Sequence, residues 1–237
     1  MAGFGPRSPS RRTTGRDATA LTVRAAVGRL ERAGAGLGGA LAVLLVIGLV
    51  RQRREQDRIR TGLDPPVFAA TRTVPPAGEG PLSRRLASWV PPPPRTAVGR
   101  LAAAVWAAPA TLVGVAAGAT TKGDWRRDRA LRCWVVAGGD RGAARLQGWL
   151  GSDGNAIGQV VISAVAAPSP ALLAHEAVHV RQVERLGVLI VPLYTWFWAR
   201  RGYRDHPLER AARLGAARSL RRHVGDREPA VTAAEAT

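Results

Sequence analysis

Ser169-Pro170-Ala171-Leu172-Leu173-Ala174-His175-Glu176-Ala177-Val178-His179-Val180-Arg181-Gln182 sets two histidines four positions apart inside a segment built to be helical. Ser169 suits the N-cap, Pro170 the first helical position, and Gly187 a C-terminal stop, which predicts a helix over 171–186. On that helix Leu172, His175, His179, Gln182 and Leu186 share one stripe, expected to be buried, with Arg181, Glu184 and Arg185 turned elsewhere. Side chains at i and i+4 project from the same face, so both imidazoles can meet one metal ion while Glu176 stands beside the attacking water. The plainer alternative is an amphipathic helix carrying two internally satisfied histidines.

A catalytic zinc site uses three protein ligands and keeps one position open. Downstream, Gly202-Tyr203-Arg204-Asp205-His206-Pro207-Leu208-Glu209 reads as a turn feeding a second helix, with Asp205 or His206 near the N-cap and Pro207 at the first position. Glu209 then stands in the first turn and is the preferred third ligand. Acidic residues also suit helix N-termini for electrostatic reasons alone. His206, three residues earlier, is the rival donor.

From 173 to 213 the chain resembles zinc-dependent metallopeptidases of the gluzincin type, in which H-E-x-x-H is followed by a downstream glutamate. A closer likeness, over about 106–213, is to a group of small bacterial membrane-associated H-E-x-x-H proteins. It rests on His175-Glu176-Ala177-Val178-His179-Val180-Arg181-Gln182, on Gly187, Pro192 and Tyr194, and on Gly202-Tyr203-Arg204-Asp205-His206-Pro207-Leu208-Glu209. His206 stands where asparagine is expected, and Ala211 where a second acidic residue often occurs. The resemblance implies that His175, His179 and Glu209 bind zinc and that Glu176 is the general base. Tyr203 could stabilise a developing oxyanion or serve only as a packing anchor. Gln182 could orient a ligating histidine or sit as a polar residue at the core edge.

Upstream, residues 156–165 are short and β-branched and read as a strand. A second is expected over 131–137 and a third over 145–150, giving a small antiparallel sheet. A strand just ahead of the metal helix could hold an extended substrate by main-chain pairing or merely cover the helix.

The N-terminal half is of a different kind. Residues 1–32 are arginine-rich without apolar periodicity and are expected to be disordered. Residues 33–50 carry no charge and end at Arg51-Gln52-Arg53-Arg54, which predicts a transmembrane helix. Residues 101–121 are a second uncharged run, interrupted by Pro109; either run could instead be a buried core helix, and 33–50 the apolar region of a secretory signal, although the arginines on both sides of it fit an uncleaved anchor better. Gly34 with Gly38, and Gly114 with Gly118, would let such helices approach closely. Between them, 51–100 is a proline- and arginine-rich linker without a packed core. Arginine flanks both runs, so orientation is undecided.

The formal net charge of +18 comes from 35 basic and 17 acidic residues, and all the basic ones except Lys122 are arginine. Spread along the whole chain, without any helix-turn-helix or paired Cys/His finger, this charge fits an anionic membrane surface better than specific nucleic-acid binding. The single cysteine, Cys133, excludes an internal disulfide. Tyr194, Trp196, Phe197 and Trp198 lie in an apolar stretch, 188–199, too short to span, which packs on the metal helix or dips into the interface.

The expected fold is therefore α+β: a minimal zincin-like domain over 122–223, preceded by one or two transmembrane helices and followed by a disordered tail over 224–237. The expected function is that of a membrane-associated zinc metallopeptidase acting on peptide or protein substrates, and the resemblance implies a bacterial inner-membrane location. The alternatives are a non-catalytic metal-stabilised membrane protein and a basic protein binding nucleic acid or anionic lipid.

Overall fold

Residues 14–65 and 77–225 are described by the computed structural model. The chain divides at Val43: Met1–Val43 is one unit and Leu44–Thr237 the other. In chain order the elements are α1 (Thr14–Arg60), α2 (Pro81–Ala87), α3 (Ala97–Thr121), β1 (Asp124–Asp128), β2 (Cys133–Ala137), α4 (Gly142–Leu150), β3 (Gly154–Ile157) and β4 (Val160–Ser163). Then come α5 (Pro170–Leu186), a 3-10 turn (Gly187–Leu189), α6 (Ile190–Arg201) and α7 (Pro207–Gly225). The α+β class is as expected.

Within Leu44–Thr237 the sheet has the order β1-β2-β4-β3. Alternation along β2 and β4 feeds two cores. Cys133, Val135, Ala137 and Val161 meet Leu173 and Val180 of α5 on one face. Val136, Val160 and Ile162 meet Ala144 of α4 and Ala117 of α3 on the other. The result is a three-layer arrangement with the sheet between α5 and the α3/α4 pair. Val135, Val136, Val160 and Val161 are fully buried, each worth about 1.5–3 kcal/mol relative to exposure.

Several expectations need correction. The sheet is mixed: β1–β2 and β3–β4 are antiparallel, but β2 and β4 run parallel. A parallel pair needs a crossover, and α4 supplies it. Residues 145–150, expected as a strand, lie in that helix, which buries Ala144 and Gln147 three positions apart and stops at Gly151 with φ 70°. The single strand expected over 156–165 is the hairpin β3–β4. Its two-residue turn, Gly158-Gln159, requires positive φ, and Gly158 has φ 63°. The charged strand β1 was not foreseen.

The N-terminal expectations also change. The first helix starts at Thr14, inside the region expected to be disordered, because its alanine, leucine and arginine content favours helix without amphipathic periodicity. Residues 1–13 lie outside the described residues. The same helix runs through the apolar stretch to Arg60, so the expected linker begins as helix. Further along that linker Glu79 and Ser83 are buried, and Val90 packs against Gly215 of α7. Residues 81–94 thus strap the domain instead of lacking a core, held by Arg185 donating to the Pro92 carbonyl and Arg132 to the Pro94 carbonyl. Residues 66–76 lie outside the described residues, as does the expected tail from 226 onward.

Gly114 and Gly118 do not serve a helix pair. A Cβ at Gly114 would lie 2.2 Å from the Ile157 carbonyl, and one at Gly118 would meet Trp125 and Val136, so this glycine face lets α3 sit directly on the sheet. Gly38 has no neighbour at that range among the described residues. Two helical segments, Ala35–Arg60 and Ala97–Thr121, are long and apolar enough to cross a membrane.

Candidate metal centre

The metal helix forms as its termini dictate. Ser169 Oγ accepts from the Leu172 N–H at 3.2 Å, Pro170 opens the first turn and Gly187 ends the helix with φ 56°. His175, Glu176 and His179 are all buried. The second helix, α7, starts at Pro207 behind His206 and buries Glu209 in its first turn.

Three donor atoms converge. His175 Nε2 lies 3.2 Å from Glu209 Oε2, His179 Nε2 lies 3.2 Å from Glu209 Oε1, and the two Nε2 atoms are 3.2 Å apart. Zinc held by histidine and carboxylate at about 2.0–2.1 Å in a tetrahedron separates its ligands by roughly 3.3 Å. The observed triangle matches that edge, and this buried group can hold a metal ion. Two ring nitrogens and a carboxylate this close need a shared proton or a metal ion among them. In the metal-free chain the proton serves: burial alone would lower the His179 pKa, but Glu209 lifts it to about 9. Burial likewise tends to raise Glu209, yet His179 and His175 hold it well below the usual carboxylate range.

The surroundings fix the donors. Gln182, fully buried, donates through Nε2 to the Leu208 carbonyl at 3.2 Å, which turns its Oε1 toward His179 Nδ1 at 2.9 Å. His179 Nδ1 must then donate, leaving Nε2 with its lone pair free for a metal. Gln182 is thus fully buried against His179 and does not sit at the core edge. Gln182→Leu should weaken zinc affinity about 10–100-fold, and Gln182→Glu, which keeps an acceptor, should restore most of it. Competition with a chelator measures both; equal affinity in wild type and Gln182→Leu would remove this role.

Tyr194 donates its hydroxyl to Glu209 Oε1 at 2.7 Å. Tyr203 also hydrogen-bonds Glu209, and burial together with that carboxylate raises the pKa of both tyrosines well above the ordinary value. The sequence offers Tyr194 either packing on the helix or a place in the membrane interface, and nothing in its local pattern sets it apart from Trp196 and Phe197 as a partner of Glu209.

His206 is not one of the three donors. Its Nδ1 accepts from the Leu208 N–H at 3.2 Å and its Nε2 donates to the Tyr194 carbonyl at 3.0 Å, so both nitrogens are committed to capping α7 and tying it to α6. Burial lowers its pKa to about 4. Below about 6.5 the unfolded chain takes up a proton that the folded chain refuses, so stability present at neutral pH is lost as pH falls from about 6.5 toward 4, on the order of 3 kcal/mol. His206→Asn keeps an acceptor for the Leu208 N–H and removes the titration. Its metal-free form should lose less stability across that window in urea titrations at stepped pH; an unchanged slope would contradict this.

Arg181 and Glu184, expected to point away from the core, are buried. Arg181 pairs with Glu184 and donates to the Leu131 carbonyl at 2.8 Å, anchoring α5 to the sheet margin. Arg210 pairs with buried Glu79 at 2.6 Å, so part of the basic excess is used inside the domain. Cys133 is buried in the core, and burial pushes its thiol up to about 11.

Glu176 accepts from the Ala156 N–H of β3, while its Oε2 has no hydrogen-bond partner among the described residues. A cleft of about 150 Å³ opens beside it, lined also by Tyr203, Leu172, Gly154, Gln52 and Gln56. β3 is the edge strand on this side. The opposite wall is the end of α1, which sequence reading left out of the site. Arg51 donates to the Ala199 carbonyl at 2.9 Å, Gln52 to the Leu150 carbonyl at 3.2 Å, and Glu55 accepts from the Tyr203 N–H at 3.0 Å. Gln52, Gln56 and Ile59, at helical spacing just past the apolar run, were the available signal.

Compared with protein families, with curated proteins and with solved structures, the chain matches no family, no curated protein and no solved structure.

Proposed function

We propose that this chain is a membrane-associated, zinc-dependent metallopeptidase. The observation that carries the reading is the triangle of His175, His179 and Glu209 with 3.2 Å edges, with an unpartnered Glu176 oxygen beside an open cleft. Zinc, when bound there, would polarise a carbonyl and acidify water. Glu176 would take a proton from the attacking water and return it to the leaving amine. Burial raises its pKa above the usual carboxylate range, even though the two histidines pull the other way. Tyr203, in the cleft wall and within hydrogen-bond reach of Glu209, would donate to the developing oxyanion. The free edge of β3 gives an extended peptide a main-chain partner next to Glu176. Gln182, Tyr194 and His206 hold the ligands in place and touch no substrate.

The apolar part of α1 would anchor the protein, and its continuation forms a wall of the cleft, which keeps hydrolysis close to the membrane. The likeness to small bacterial membrane-associated proteins supports an inner-membrane location. The test uses the full chain, zinc-loaded, with a degenerate peptide library and mass-spectrometric readout of new termini. Cleavage abolished by a zinc chelator and restored by zinc is expected. A zinc-loaded, folded chain that cuts none of the library would end the peptidase reading.

A further inference from the structure

The helix α3 has two unlike faces. Ala103, Ala107, Gly114, Gly118 and Thr121 are buried and form one stripe, against the sheet over the C-terminal half. Thr111 is tied to it as well, its Oγ1 accepting from the Gln159 N–H at 3.2 Å. On the opposite side Val98, Val105, Leu112 and Ala119 follow one another at intervals of seven and are all exposed, the first three at 79%, 66% and 69%. From Leu101 to Thr121 the helix carries no charge, so this outer face offers about 30 Å of uninterrupted apolar surface. It continues past Trp106, which packs on Gly187, to exposed Val188 and Leu189.

By length and hydropathy α3 qualifies as a membrane span. Its surroundings argue otherwise. The sheet is fastened along it from Thr111 to Thr121, and β1 of that sheet exposes Asp124, Arg126 and Arg127. Carrying α3 across a bilayer would draw these charges into hydrocarbon without partners there. A helix whose inner face is fastened to a domain with charged edges and whose outer face is apolar is stable instead in the plane of the interface.

We propose that α3 does not cross the bilayer but lies flat in its surface, with Val98, Val105, Leu112 and Ala119 toward the acyl chains. Exposed Arg95 just before one end and Lys122 at the other then reach anionic headgroups. The occupant of the apolar face is anionic lipid. The inference rests on the membrane-association part of the reading above and is independent of zinc or hydrolysis.

The test is spin-label depth on the full chain in phosphatidylcholine–phosphatidylglycerol vesicles, with Cys133→Ala as background and single cysteines at Val98, Val105, Leu112 and Ala119. These side chains point outward, so labelling should leave the fold intact, checked by circular dichroism. Relative accessibility to oxygen and to a water-soluble nickel chelate should place all four at one shallow depth, about 5–10 Å below the headgroups. Val105 and Leu112 near the bilayer centre, with Val98 and Ala119 toward opposite surfaces, would mean a span and overturn the proposal. Four water-exposed labels on vesicle-bound protein would also overturn it, leaving α1 as the anchor. Failure of the folded chain to bind vesicles at all would remove the membrane reading itself and this inference with it.

Discussion

Glu176→Gln will keep its zinc and lose hydrolysis. The substitution preserves the size of the side chain and its contact with the Ala156 N–H, and it changes none of the three donors His175, His179 and Glu209. It removes the cleft carboxylate that the H-E-x-x-H spacing sets between the two histidines, whereas Asp153, the other carboxylate lining the cleft, is left in place. General acid–base assistance is worth about 100- to 10,000-fold, so turnover should fall by at least the lower figure while metal content stays at the wild-type level. The two readings must be taken on the same preparation. Retained activity with retained zinc would show that Glu176 is a structural carboxylate, and lost zinc would show that its effect runs through the ligands.

Glu209→Ala should act in the opposite order, on the metal first. Glu209 is the only non-histidine donor in the triangle, and its carboxylate also receives Tyr194 and Tyr203. Removing it deletes one of the three donors and leaves both tyrosine hydroxyls without that acceptor. The loss in zinc affinity should therefore exceed the roughly 10–100-fold expected for an outer partner such as Gln182. Competition titration against a chelator gives the number. The variant also relieves the attraction that lifts His179, so that in the metal-free chain the His179 pKa should drop from about 9 toward or below its ordinary value, which histidine resonances followed by NMR would report. Wild-type affinity in Glu209→Ala would take this residue out of the site.

The parts of this site that were legible in the sequence are those set by local chemistry. Ser169, Pro170 and Gly187 start and stop α5 through hydrogen bonds and backbone angles within a few residues, and Pro207 does the same for α7. With both helices bounded, the faces holding His175, His179 and Glu209 follow from helical periodicity. The choice between Glu209 and His206 did not follow, because it depends on the Tyr194 carbonyl that engages His206 from another helix.

What escaped reading was set by contacts distant in the chain or by ambiguous periodicity. Arg145-Leu146-Gln147-Gly148-Trp149-Leu150 is too short to show a helical period by itself, and Ala144 and Gln147 are the positions that pack, at helical spacing. β1 is too charged to announce itself, and it is tolerated because Asp124, Arg126 and Arg127 stay in solvent at the sheet edge. The wall supplied by α1 rests on pairs such as Glu55 with Tyr203, 148 positions apart. The helical spacing of Gln52, Gln56 and Ile59 marks a face but not what it meets, so the cleft depends on a helix that composition alone assigns to an anchor and linker.

Elemental analysis of zinc per folded chain, on full-length protein beside a His175→Ala, His179→Ala double variant, tests the central claim most directly. One zinc per wild-type chain and none in the double variant is the predicted result. A folded wild-type chain that stays metal-free after exposure to zinc would contradict it, and the 3.2 Å triangle would then be a buried, proton-stabilised cluster of structural residues.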